Sequence, residues 1–129
     1  MRVLYVEDDS AVAQAMGEGL AHLGAKVEVA TSYAGAIALL EAMDFDVVVS
    51  DLNLGDGPGG HDVARAAQSL ARHRELGLIA VSAFGRPEDV AESRRAGFAN
   101  HLVKPATVMS VAQAISELVR PRGRQASSS

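Results

Sequence analysis

The feature that most constrains this chain is a series of short apolar runs, each stopping abruptly at a polar residue. VLYV stops at Glu7 and Asp8, VVVS at Asp51, LIAV at Ser82, and HLV at Lys104, just before Pro105. Runs this short and this continuously apolar read as strands buried on both faces, which is how strands of a parallel sheet look. The pattern predicts strands over 2–6, 26–30, 47–50, 78–82 and 101–103. Helices are predicted over 11–23, 33–43, 61–74, 87–96 and 107–119, so the chain alternates strand and helix as an α/β fold does. In the first helix Val12, Met16, Leu20 and Leu23 fall on one face, Asp9 and Ser10 are candidate N-caps, and Gly24 is placed to end it. Gly97 is placed to end the fourth. The last helix carries an apolar stripe of Val108, Val111, Ala112, Ile115, Leu118 and Val119.

Side by side, such strands would bring their carboxyl ends to one edge, where open α/β sheets bind ligands. Strand order is not readable from the pattern. A doubly wound order with the first strand in the interior would set Asp8 beside Asp51. Glu7, Asp8, Asp51, Ser82 and Lys104 would then share one pocket. Carboxylates crowded in this way repel one another unless a cation sits among them, and a hard divalent ion with oxygen ligands suits them. By the same repulsion, neutralising Asp8 or Asp51 is expected to stabilise the metal-free chain.

Composition narrows the chemistry further. The 129 residues suit one domain, and the absence of Cys excludes a disulfide framework, a thiolate metal site and a Cys nucleophile. A net charge of −4 argues against a nucleic-acid surface, which needs clustered Lys and Arg. No apolar run has membrane-spanning length and the start does not read as a signal peptide, so the expected location is the cytoplasm. The turn after the first strand holds Glu7, Asp8 and Asp9 where a dinucleotide fold needs glycines. A phosphate therefore approaches through a metal or not at all. Asp51, at a strand end before the glycine-rich LNLGDGPGG, can act as a nucleophile that forms an acyl phosphate. Ser82 could hydrogen-bond a phosphoryl oxygen and Lys104 could pair with another, with small Ala83 leaving an entry path.

This set of motifs resembles the receiver domain of the two-component response-regulator family. The acidic pair Glu7–Asp8, the acceptor position Asp51, Ser82 and the Lys104–Pro105 pair occur in the family's order, over residues 1 to about 120. The resemblance implies a flavodoxin-like doubly wound (βα)5 fold with strand order 2-1-3-4-5, an order the chemotaxis member of the family exemplifies. It implies Mg2+ held by Glu7, Asp8, Asp51 and the main-chain carbonyl of Asn53, and a cis peptide before Pro105. It further implies that Asp51 accepts a phosphoryl group from a histidine kinase or phosphotransfer protein. Ser82 and Lys104 would complete the site.

On this reading the chain is a phosphoacceptor module rather than a turnover enzyme. A receiver domain spans 1–120, a disordered tail follows over 121–129, and output runs through contact with a protein target. The fourth helix, fifth strand and fifth helix form the candidate partner and dimer face, and neither nucleic acid nor membrane is contacted directly. His101 stands where the family usually has an aromatic residue and is a candidate switch. The chain is either a stand-alone receiver or part of a longer one, with the stretch at 93–105 most like receivers attached to hybrid sensor kinases. Two other functions compete. An aspartate-nucleophile phosphatase wants its nucleophile after the first strand and a second acid two residues on, where Asp51 is followed by Asn53. A receiver-like scaffold that is never phosphorylated would keep the fold without the chemistry.

Overall fold

The computed structural model describes residues 1–70 and 76–118. Its elements, in chain order, are β1 (Arg2–Val6), α1 (Ser10–His22), β2 (Lys26–Ala30), α2 (Tyr33–Ala42), β3 (Val47–Asp51), α3 (Gly60–Leu70), β4 (Gly77–Ser82), α4 (Pro87–Ala96), β5 (Asn100–Val103) and α5 (Val108–Leu118). The strands form one parallel sheet in the order β2-β1-β3-β4-β5. That is the doubly wound, flavodoxin-like arrangement predicted above. The predicted end of the third helix at Arg74, Val119 of the last stripe and the tail over 121–129 lie outside the described residues.

The apolar runs bury both faces of the sheet because successive side chains point to opposite sides. Leu4, Val6, Val48, Leu78 and Ala80 pack under α2, α3 and α4 with Ala36, Val63 and Phe98. Val3, Tyr5, Val47, Val49, Ile79 and Val81 pack under α1 and α5 with Met16, Leu20, Val111 and Ile115. Burying side chains of this size contributes about 1.5–3 kcal/mol each. The helices thereby hold the sheet, and the sheet holds the edge where the polar residues emerge.

Register fixes that edge. Val6 pairs with Ser50, Asp51 with Val81, and Ser82 with Val103. One step further along each strand come Glu7, Leu52 and Lys104, whose N–H groups extend the ladders to Ala30, Val81 and Ser82. Asp51 is itself the last residue of β3, one position later than predicted, which makes its backbone part of the ladder.

The first helix departs from expectation. Its buried face is Ala13, Met16, Gly17 and Leu20, whereas Val12 and Leu23 are 45% and 53% exposed. Small residues set this interface. A Cβ on Gly17 would lie 2.8 Å from Val29 Cγ2, and one on Gly19 would lie 2.5 Å from Val108 Cγ2. Counting large apolar side chains therefore chose a face rotated from the real one. The caps follow expectation more closely. Asp9 accepts from the N–H groups of Ala11 and Val12 at 3.0 and 3.2 Å, and Gly24 and Gly97 end α1 and α4 with φ of 106° and 111°. Thr107, predicted inside the last helix, stands just before it and exchanges hydrogen bonds with Ser110 at 2.9 and 3.0 Å, a capping arrangement.

Asp9 thus serves α1 rather than the sheet edge. Asp9→Ala is expected to cost about 1 kcal/mol in urea unfolding with an unchanged denaturant slope, and Asp9→Asn much less, because Asn caps nearly as well as Asp.

Candidate phosphoacceptor and metal site

The predicted residues meet at the carboxyl edge of the sheet. A cleft of about 330 Å3 has Asp8, Asp51, Asn53, Ser82, Asp89 and Lys104 in its walls. Asp51 is buried, and both its carboxylate oxygens have donors: Asn53 N–H reaches Oδ1 at 3.1 Å and Lys104 Nζ reaches Oδ2 at 2.5 Å. The same ammonium lies 3.6 Å from Glu7 Oε1, while Glu7 Oε2 accepts the Asp9 N–H at 3.1 Å. Ser82 is buried, with Oγ accepting from Phe84 N–H at 3.1 Å. The peptide between Lys104 and Pro105 is cis.

Electrostatics set the character of the cleft. Burial raises the Glu7 pKa, and the neighbouring Asp8 and Asp51 raise it further, against the opposing pull of the Asp9 N–H and Lys104. Burial alone would lower the Lys104 pKa, but Asp51 and Glu7 together outweigh it and the net shift is upward. Tyr5, beneath the site, is pushed up to about 12 by burial and then by the charges of Glu7 and Asp51. Its phenol stays neutral at physiological pH.

One ammonium faces three carboxylates. Oxygens of Glu7, Asp8 and Asp51 lie within 4.8 Å of one another. Ligand oxygens on an ion with metal–oxygen distances of about 2.1 Å sit roughly 3–4 Å apart, so small side-chain rotations close this set. The all-oxygen donors and the excess negative charge fit a hard divalent cation such as Mg2+.

Asp51 needs a correction to the expected effect of neutralisation. Its carboxylate is paired with Lys104, so Asp51→Asn gives up a buried ion pair instead of relieving bare repulsion. Asp8 is exposed, and none of the salt bridges among the described residues involves it, so the expected gain remains for Asp8 alone.

The structure also brings in two residues the sequence did not single out, Asp89 and Gly60. Asp89 of α4 lines the cleft, its pKa held below the usual carboxylate range by the hydrogen bond from Arg86 Nε at 2.9 Å. Gly60, the first residue of α3, packs so closely behind Asp51 that a Cβ there would lie 2.5 Å from the Asp51 carbonyl oxygen. Adjacent glycines before a helix were the available signal. His61 turns toward α4, its Nδ1 3.6 Å from Glu92 Oε1 and its ring edge-on to Phe98 at 6.2 Å. His101 is half-buried between α4 and the β4–α4 loop, hydrogen-bonded to Ser93 and to the Phe84 carbonyl.

Comparison with known proteins agrees with this geometry. Residues 3–116 match the family model described as response regulator receiver domain. The chain belongs to that family. It is 32% identical over 104 residues to the response regulator protein FleR of Pseudomonas aeruginosa, covering 81% of this chain and 21% of FleR. It is likewise 32% identical over 125 residues to the virulence sensor protein BvgS of Bordetella pertussis, covering 92% of this chain and 10% of BvgS. The chain therefore spans well under two thirds of either relative. A response regulator receiver domain protein from Methanospirillum hungatei, solved by crystallography, superposes with a TM-score of 0.80 at 26% identity, covering 90% of each chain. Receiver domains are signalling modules that work with histidine kinases and downstream effectors, and they generally bind Mg2+ in an acidic pocket. No helix among the described residues is long and apolar enough to cross a membrane.

A cation in this pocket has a measurable consequence. Millimolar Mg2+ is expected to raise the melting temperature, corresponding to about 2.7 kcal/mol at a hundredfold excess over its dissociation constant. Asp8→Ala is expected to abolish the response, and Asp8→Asn to exceed the parent in stability when Mg2+ is absent. Identical melting curves for the parent with and without Mg2+ would refute a cation site.

Proposed function

We propose that this chain is a phosphorylation-controlled receiver in which Asp51 accepts a phosphoryl group from the phosphohistidine of a histidine kinase or phosphotransfer protein. The observation that carries this reading is the Asp51 carboxylate, buried at a strand end with Lys104 on one oxygen and a cleft beside it. A carboxylate oxygen attacks phosphorus, the phosphorus–nitrogen bond to the donor imidazole breaks, and the mixed anhydride remains on Asp51. Such transfer asks a protein mainly for position and charge.

Each residue then has a task. Glu7, Asp8, Asp51 and the main-chain carbonyl of Asn53 hold Mg2+. When bound, the ion supplies positive charge that lets an anionic phosphoryl group enter among carboxylates. Lys104, already charged and close to Asp51, shifts to a phosphoryl oxygen as the group arrives. The Ser82 hydroxyl keeps its proton free to donate to another, because its oxygen accepts from Phe84 N–H. Ala83 is exposed on the cleft wall and leaves the approach open.

The receiver unit spans 1–120, works in the cytoplasm and delivers its output by protein contact through α4, β5 and α5. Arg94 and Arg95 are exposed on that face, as are Val103 and Met109, at 50% and 67%. The same face is the site for dimer contact.

Incubation with acetyl phosphate and Mg2+, followed by intact-mass measurement, tests the proposal. The parent is expected to gain one labile phosphoryl group and Asp51→Asn none while remaining folded. Lys104→Ala is expected to retain partial uptake but lose the accompanying change in amide NMR shifts on α4 and β5. Steady release of phosphate from many phosphoesters would instead favour a phosphatase, and absence of any adduct would favour a scaffold.

A further inference from the structure

Between the end of β3 and the start of α3 the chain makes a loop that is fastened at both ends and free in its middle. On the near side Asn53 N–H reaches Asp51 Oδ1 at 3.1 Å, Gly55 N–H reaches Asn53 Oδ1 at 3.0 Å, and Leu54 is buried. On the far side Gly60 N–H reaches the Leu52 carbonyl at 3.0 Å and Gly59 N–H reaches Asp62 Oδ2 at 2.9 Å. Residues 55–58, between these ties, are exposed. Among the described residues neither the Asp56 carboxylate nor the Gly57 N–H has a hydrogen-bond or ion-pair partner. Gly57 has φ of 90°, a conformation open to glycine, and a Cβ built there would meet nothing within 4 Å.

Asp56–Gly57 is the chain's only Asp–Gly pair. Every other Asp precedes a residue with a side chain, and Asn53 already uses its side-chain oxygen on Gly55 N–H. We propose that Asp56 is a site of spontaneous covalent modification, isomerising through a cyclic imide to isoaspartate, and that the product disturbs the Asn53 side of the metal site. The Gly57 nitrogen attacks the Asp56 side-chain carboxyl carbon. A carbon–nitrogen bond forms, the carboxyl carbon–oxygen bond breaks, and the hydroxyl leaves with the amide proton as water. Water then opens the ring at either carbonyl, returning aspartate or leaving the main chain routed through the side-chain methylene. The atoms are unchanged overall and nothing else is consumed, but the main chain is one carbon longer. The far side of the loop has no room for that carbon, since a Cβ on Gly59 would lie 2.6 Å from the Leu52 carbonyl oxygen. It is accommodated toward Asn53 and Gly55, where a Cβ on Gly55 would lie 3.8 Å from Asp8 Oδ2. This last step rests on Asp8 and Asn53 holding the cation, whereas the isomerisation does not.

Two measurements separate the parts. The folded chain and a synthetic peptide of residues 52–60 are aged side by side in mildly acidic buffer. Isoaspartate is read by methyl transfer from labelled S-adenosylmethionine with a protein isoaspartyl methyltransferase, and located by peptide mass spectrometry. The folded chain is expected to form it at Asp56 within about threefold of the peptide's rate, because no part of the fold has to open first. Asp56→Glu, which keeps the charge but needs a larger ring, is expected to form none. A folded rate more than about tenfold below the peptide's, or label at another Asp in place of Asp56, would overturn the assignment. The aged fraction, separated by chromatography, is then titrated with Mg2+. It is expected to bind about tenfold more weakly than the unaged chain, the cost met when groups that orient metal ligands are disturbed. Asp56→Glu aged in parallel is expected to keep the affinity of the unaged chain. Equal Mg2+ affinity in aged and unaged chains would overturn the effect on the site. An unaged chain that binds no Mg2+ would sink the metal-site reading and that effect with it, while the isomerisation is decided by the first measurement alone.

Discussion

The Lys104 ammonium, shared between Asp51 and Glu7, is the interaction on which the functional end of this molecule depends. Two buried carboxylates in a low-dielectric edge would be costly alone, and the third, on Asp8, adds to the charge. Lys104 makes the pair tolerable without neutralising the set. Its own raised pKa and the raised pKa of Glu7 are two sides of that incomplete balance. A site left negative after its one ammonium is counted suits a divalent cation, and such a cation would in turn suit it to an anion. The chemistry follows from the charge count before any partner is considered.

Bringing these charges together is a task for the sheet. β1, β3, β4 and β5 carry Glu7, Asp51, Ser82 and Lys104 to one edge because their registers end in step, and apolar packing on both faces keeps the registers from slipping. α4 is attached differently. Ser93 and Ala96 are its buried residues, and polar ties hold it: Gln68 Nε2 on the Ala96 carbonyl at 3.0 Å, Glu92 beside His61, and Ser93 on His101. A helix held by a few directional contacts, two of them leading back toward the Asp51 loop and the Ser82 loop, is the element most able to register a change at the site.

The apolar runs made most of this legible in the sequence. Five strands follow from where those runs begin and stop, whereas their order, and with it the meeting of Glu7, Asp8, Asp51, Ser82 and Lys104, came from the family resemblance. The face of α1 was misread because close approach there is made by Gly17 and Gly19, and a glycine interface leaves no hydrophobic pattern. Asp89 and Gly60 escaped notice for a different reason. Their places in the site come from the path of the β4–α4 and β3–α3 loops, whose geometry is set by tertiary contacts and not by local periodicity. The two ties of His101 were equally out of reach, since they join residues 8 and 17 positions away.

The most direct test of the account is borohydride trapping of the acyl phosphate, followed by peptide sequencing in a mass spectrometer. With acetyl phosphate and Mg2+ present, the account predicts reduction of a single carboxyl, that of Asp51, and loss of the product when Mg2+ is chelated. A trapped carboxyl at Asp8 or Glu7, or equal trapping at Asp51 without any divalent cation, would contradict it.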